Sequence, residues 1–368
     1  MSVKSTQENL ISIPNNAELK VIFTILISLL SGILIKLHAL SFINSEWYLL
    51  RFVPVIVVGS LMSYFIVFEL RFNKTIPLLG VTGCVSFLLC LPSKSGAASV
   101  TLSLIHIPLV LLSLLALTFL GAEWRSSTKR ILFIRYLGEM MIYAAILLLG
   151  GIVLTFLTFA LFSLVHINIE HWYMSYVVVF GLTASPLVAT CLYDAVLKRE
   201  SRLATIVSTI FAPLILITAC IYMFATITQG KSASYDRNFL ITINGLMIIV
   251  LATIIYSLIG STSFENRKLS HIVNISLVTV ALLINAYSLS AMLFRWAEYG
   301  VTPNRVAVIG ENILMFAHLI RIFKYYIPHI AQKCSLERLL NAVTGHIPLY
   351  SAWSALMAFG LPLIFGFK

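Results

Sequence analysis

Charge is what this chain has least of: only 11% of its 368 residues are Asp, Glu, Lys or Arg. A soluble domain of ordinary composition carries about 25%, so a chain folded around a water-facing surface is excluded. Cysteine is sparse and never paired in sequence. Cys84, Cys90, Cys191, Cys220 and Cys334 stand singly with no CxxC, which argues against a disulfide framework or a zinc site, and no metal or cofactor is expected. The phosphate-cradling GxxxxGK[ST] loop is missing, as are the GxSxG serine elbow and the HExxH metalloprotease helix. No segment is long enough for an ATP-binding domain, and no nucleic-acid-binding fold has room to form, so nucleic acid is not an expected partner.

What is present is apolar sequence in long runs. Hydrophobic residues make up 60% of the chain and the mean hydropathy is +0.98. The runs are continuous rather than alternating, which favours helices over a transmembrane β-barrel. Eleven segments are long enough to cross a hydrocarbon core of about 30 Å. They fall at about 21–40, 52–69, 75–91, 100–120, 137–164, 173–194, 203–227, 239–260, 271–294, 305–323 and 347–365, and ten or twelve remain compatible with the pattern. The expected fold is an all-α polytopic transmembrane helical bundle. Residues 1–20 read as a polar cytoplasmic tail, 21–200 as an N-terminal transmembrane half of about six spans, and 201–368 as a C-terminal half. The first run lacks a convincing cleavage site and reads as a retained helix. No repeat relates the two halves.

The net charge of +11 follows the loops. With eleven spans, seventeen basic residues share the side of the N-terminus and eight lie opposite. That bias places the N-terminus in the cytoplasm and the C-terminus outside. Membrane lipids are then expected partners, together with a second membrane protein or another copy of the chain. Residues 121–136 read as a basic, amphipathic segment lying along the inner leaflet, and Ser335 as the cap of a short interfacial helix. Asp194 and Glu139 fall at cytoplasmic ends beside basic residues, where they are solvated or paired.

The most informative stretch is RWAEYGVTPNR, residues 295–305. Ser288, Met292, Arg295 and Tyr299 follow helical spacing, and Asn285 and Glu298 extend the same polar side. Gly300 suits the left-handed residue that ends a helix. Thr302 suits the N-cap of the next helix, and Pro303 its first turn. Arg295 pairs with Glu298 on this reading, and Arg305 reaches the same carboxylate. The cluster either pins a tight outer turn or forms a polar site at the mouth of a cavity.

The segment NAYSLSAMLFRWAEYGVTPNRVAVIGENILM resembles the signature hairpin of an uncharacterised bacterial membrane family, the domain-of-unknown-function family 4153. Tyr287, Arg295, Glu298, Tyr299, Gly300, Thr302, Pro303, Asn304 and Arg305 match the pattern, and Val301 replaces a usual leucine. Pro213, Leu214 and Tyr222 resemble the family's Pro-Leu helix, and AWSALMAFGLPLIFGFK its ending. ITQGKSASYDRNF stands where the family has a Trp-Pro-x-Gly segment. The likeness covers about residues 200–368. It implies a helical membrane fold and no reaction.

Beyond the hairpin, Glu311, His318 and Arg321 lie along one helix. Glu311 and His318, seven residues apart, share nearly one face about 10 Å apart. With Asn285 they are candidates for a polar cavity that relays protons or ions, or for a buried polar group satisfied by neighbours such as Asn244. His166, Glu170 and His171 make a weak metal set, better read as an interfacial loop anchored by Trp172 and Tyr173. Pro186 and Pro213 break neighbouring helices, a pattern found at transporter sites and also in ordinary membrane helices. Three function classes follow: a non-catalytic envelope scaffold, sensor or partner subunit; a transporter or channel for an ion or small solute; and a lipid-acting intramembrane enzyme.

Overall fold

The computed structural model describes residues 17–39, 43–69, 75–92, 96–228, 237–261 and 268–368. Most of the polar tail, the basic residues Arg71, Lys74, Lys94, Lys231 and Arg267, and most of ITQGKSASYDRNF lie outside the described residues. The described chain is all helical, without strands, and forms a polytopic bundle. In order come α1 Ala17–Lys36, α2 Ser45–Phe68, α3 Thr75–Cys90, α4 Ala98–Leu120 and α5 Ser127–Leu164. Then α6 Glu170–Tyr173 runs through a π-turn into α7 Val179–Cys191, followed by α8 Leu203–Thr228, α9 Arg237–Ser261, α10 Lys268–Tyr299 and α11 Pro303–Ile330. Last are α12 Leu336–Thr344, α13 Ile347–Ala355 and α14 Leu361–Ile364.

Ten of the described helical segments are long and apolar enough to cross a membrane. α3 is shorter, at 16 residues, or about 24 Å at the α-helical rise. It nevertheless makes a full antiparallel return. The Arg51 guanidinium at the start of α2 donates to the carbonyls of Leu91 and Pro92 just past the end of α3, at 3.3 and 3.1 Å. Other long-range contacts sort the helix ends into two faces. On one, Lys20 meets Asp194, Arg130 meets the Thr344 carbonyl, and Tyr256 meets the Ile134 carbonyl. On the other, the Ser99 amide donates to the Lys368 carbonyl.

The residue pattern inside and outside is that of a protein dissolved in lipid. On α1 the buried residues are Lys20, Thr24, Ser28, Ser31, Gly32 and Ile35, while Ile22, Leu26, Leu29 and Ile33 face outward. Lipid tails are as apolar as leucine, so packing between helices is driven by close approach and hydrogen bonds, which favours small and hydroxylated residues at the contact. Gly32 shows the consequence, since a β-carbon there would run into the Phe180 ring.

Two main cores result. One joins α2, α4, α5 and α7 around Tyr64, Phe65, Tyr136 and Leu187. The other joins α8 to α12 around Met247, Ile254, Leu277, Leu319 and Tyr326. α4 also packs against the last helices, through Ile107, Leu111 and Ala358.

Residues 121–136 depart from the leaflet-lying expectation. From Ser127 onward they are the first turns of α5, a continuous helix of 38 residues capped by Ser126. Ile131, Phe133, Ile134 and Tyr136 are buried in the bundle. Their apolar face finds protein partners, so it has no need of lipid. Ser335 does cap a short helix, accepting from the Arg338 amide. That helix, α12, turns Leu339 and Val343 into the α8–α12 core.

Candidate functional site

The hairpin between α10 and α11 folds as its residues require. Gly300 sits at φ +74° and donates its amide to the Trp296 carbonyl, closing α10. Thr302 is extended and accepts from the Arg305 amide at 3.4 Å, with Pro303 in the first turn of α11. The expected carboxylate contacts are replaced by others. Arg305 donates to the carbonyls of Tyr299 and Gly300, at 2.7 Å each, and lies 5.5 Å from the Tyr299 ring centroid. Those carbonyls carry the negative end of the α10 dipole, so they compete well with an exposed side chain. Arg295 also lies against Tyr299, and no ion pair among the described residues joins it or Arg305 to Glu298.

Behind the turn lies a cavity of about 400 Å³ between α9, α10 and α11. Its polar lining is Asn244, Arg295, Thr302, Asn304 and Arg305, and Met292, Val308 and Ile309 supply apolar wall. Asn244 opens a ladder of amides leading inward. Asn312 Nδ2 donates to Asn244 Oδ1 at 3.0 Å and to the Val308 carbonyl at 2.9 Å. Asn285 Nδ2 donates to Asn312 Oδ1 at 3.1 Å. The ladder then stops unsatisfied: Asn285 Oδ1 and Ser288 Oγ have no partner, although both residues are 0% exposed. A buried polar atom without a partner costs about 1–3 kcal/mol, and water in the hydrocarbon region is scarce.

The four candidates Asn285, Glu311, His318 and Arg321 therefore do not share one cavity. Asn285 belongs to the ladder on the α9–α10 side of α11, while the other three face α4, α12 and α13. His318 is fully buried, stacked on His346 with ring centroids 4.7 Å apart. Its Nε2 lies 2.8 Å from the Val343 carbonyl and its Nδ1 3.2 Å from the Tyr350 hydroxyl. Arg321 reaches the Asn341 carbonyl and Arg130 the Thr344 carbonyl, so two cations cap the C-terminal end of α12. Glu311 has electrostatic neighbours in His106 and Tyr350.

The largest charged cluster was invisible as a cluster in the sequence. Asp194 accepts from Lys20 Nζ at 2.6 Å, from the Tyr64 hydroxyl at 2.7 Å and from Arg199 Nε at 2.6 Å. Arg199 also pairs with Glu69. Burial pushes the Arg199 guanidinium down from its ordinary value, and its ion-pair partners are Asp194 and Glu69. Nearby, Glu139 is buried and accepts from Ser201 Oγ and the Ala204 amide. Asp194 is thus ion-paired, as one of the two sequence readings had it, while Glu139 is held by hydrogen bonds from neutral donors. The one legible signal was an acid beside Lys198 and Arg199 at a helix end.

The remaining candidates resolve locally. His166, Glu170 and His171 are exposed, and no group of three metal-ligating side chains occurs among the described residues. Trp172 is exposed, but Tyr173 is buried against Phe159, so it packs within the protein instead of anchoring at the interface. Pro186 removes an amide that would serve the Leu182 carbonyl, and Ser185 Oγ donates to that carbonyl at 3.0 Å. The break in α7 is repaired within its own turn.

No family model, curated protein or solved structure matches the chain.

Proposed function

We propose that this protein is a transporter or channel-class protein of a bacterial inner membrane that takes an ion or small polar solute into the α9–α10–α11 cavity. The observation that carries the reading is the amide ladder. It runs from the cavity wall to two fully buried polar atoms that the protein itself does not satisfy. Unpaired polar groups at membrane depth are costly, and a site that is periodically hydrated or occupied by solute explains their retention. The excess of basic residues on the opposite face supports an outward-facing hairpin and cavity mouth.

The test is access. In a cysteine-free background, Val308→Cys is exposed to a membrane-impermeant charged thiol reagent from each side. Modification from the hairpin side alone is expected. A folded, unreactive Val308→Cys removes the cavity reading.

The second reading, a scaffold or partner subunit, draws on the Lys20–Asp194–Arg199–Glu69 cluster, whose charges are all spent within the fold. On that reading membrane lipid, another membrane protein or a second copy would be the partner.

A further inference from the structure

The cavity between α9, α10 and α11 is lined with positive charge and with hydrogen-bond donors. Arg295 and Arg305 both line it, together with Asn244, Thr302 and Asn304, and among the described residues no Asp or Glu does. The two guanidiniums lie against one ring, 5.8 and 5.5 Å from the Tyr299 centroid. The face of that ring attracts each cation, so it holds two like charges beside one cavity. Glu298, the acid nearest to them in sequence, is exposed and stays out of the lining.

The hydrogen bonds already made decide what the lining can still offer. The Tyr299 and Gly300 carbonyls, at the negative end of α10, are both covered by Arg305 Nη1 at 2.7 Å. Among the described residues Arg305 Nη2 and Nε make no hydrogen bond, so most of its fork is left to donate. Thr302 Oγ1 accepts from the Arg305 amide, which leaves its hydroxyl hydrogen to donate. Asn244 Oδ1 accepts from Asn312 Nδ2, which leaves the Asn244 amide nitrogen as the donor. A metal cation entering here would meet donors and no carboxylate, whereas hard cations are held by carboxylate and carbonyl oxygens. An anion would meet two guanidiniums, whose planar forks match a carboxylate or phosphate with two hydrogen bonds at once. Further in, the lining changes character. Ser288 stands one turn before Met292 on α10, and Asn312 two turns after Arg305 on α11, on the same faces. There Asn285 Oδ1 can only accept and Ser288 Oγ is a hydroxyl, so that end suits water and the arginine end suits the charge.

We propose that the cavity takes a small anion, a carboxylate or phosphate held at the hairpin end by the Arg295 and Arg305 guanidiniums, with Thr302 and Asn244 as neutral donors. The inference rests on the cavity reading above and adds the sign of the solute's charge. Two cations in a cleft with apolar walls focus their field, and such clefts raise the local concentration of the opposite charge by about 10- to 1,000-fold. The phosphate of an anionic lipid headgroup offers these groups the same chemistry as a free anion.

Two thiol reagents of opposite charge test it on Val308→Cys in the full-length, otherwise cysteine-free protein in detergent. One is the anionic sulfonatoethyl methanethiosulfonate, the other the cationic trimethylammonioethyl methanethiosulfonate. Each rate is divided by that at Asn168→Cys, in the exposed turn after α5, and ionic strength is held constant because salt screens such fields. The normalised sulfonate rate is expected to exceed the ammonium rate by at least about tenfold, and Arg295→Gln and Arg305→Gln each to bring the ratio toward one. Arg295→Gln carries the comparison, since Arg305 also closes the turn. Inorganic phosphate is expected to slow the sulfonate reaction in lipid-free detergent; slowing by phosphatidylglycerol and not by phosphate would identify the anion as a lipid headgroup. Equal normalised rates for the two reagents overturn the proposal and leave the cavity standing, and so does protection by neither phosphate nor phosphatidylglycerol. A folded Val308→Cys that neither reagent modifies removes the cavity, and this inference with it.

Discussion

Two buried polar regions of this bundle are built to opposite specifications. At the Asp194 cluster a carboxylate receives donors from α1, α2 and the turn after α7, and each charge is answered by another within hydrogen-bond distance. At the Asn244–Asn312–Asn285 ladder no charge is buried, the bonds are neutral, and two polar atoms at the inner end are left over. The first arrangement ties helix ends together, and none of its side-chain atoms is among those buried without a partner. The second tolerates unsatisfied groups next to a cavity. Spare hydrogen-bonding capacity, more than the number of charges, separates a site from a fastening.

Substitutions can break this contrast. The largest effect is expected for Asp194→Asn. It leaves Lys20 and Arg199 short of a carboxylate in a buried setting and costs about 3–5 kcal/mol, read as a lowered unfolding midpoint in detergent. Asn312→Leu comes next. It strands the Asn244 and Asn285 amides and costs about 1–3 kcal/mol, measured in the same assay. Gly300→Ala forces a side chain into the left-handed region at the hairpin, for about 1–2 kcal/mol, and the same unfolding midpoint reports it. The smallest effect is the most diagnostic. Ser288→Ala removes a hydroxyl that has no partner, so the unfolding midpoint is expected to stay level or rise slightly. A loss above about 1 kcal/mol would mean that Ser288 is satisfied within the fold, and the contrast with Asp194 would fall.

Much of the architecture was legible because lipid imposes a simple rule on sequence. Runs of apolar residues marked the helices, and even short α3 was recognisable. Gly300, Thr302 and Pro303 declared their turn, since each needs a backbone state that few other residues fit as well. The start of α5 was missed because an amphipathic stretch looks the same whether its apolar face meets lipid or protein. The Asp194 cluster was missed for a related reason. Lys20, Tyr64, Glu69 and Asp194 are separated by up to 174 positions, and nothing in the local pattern at any of them names the others. The split of Asn285 from Glu311 has a geometric cause. Residues 311 and 312 sit about 100° apart around α11, a consequence of 3.6 residues per turn, so neighbours in sequence serve different interfaces. His106 escaped notice because a single histidine in an apolar run carries no spacing signal.

The central claim is that the α9–α10–α11 interior is wetted while the Asp194 cluster is dry. Amide hydrogen–deuterium exchange on the detergent-solubilised protein compares them in one sample, using peptides covering residues 308–315 of α11 and 187–196, which includes Asp194. The account predicts that 308–315 exchanges at least about tenfold faster, because water entering the cavity reaches helix amides that would otherwise open only with the bundle. Equal or slower exchange at 308–315 would contradict it and leave the ladder as packing alone.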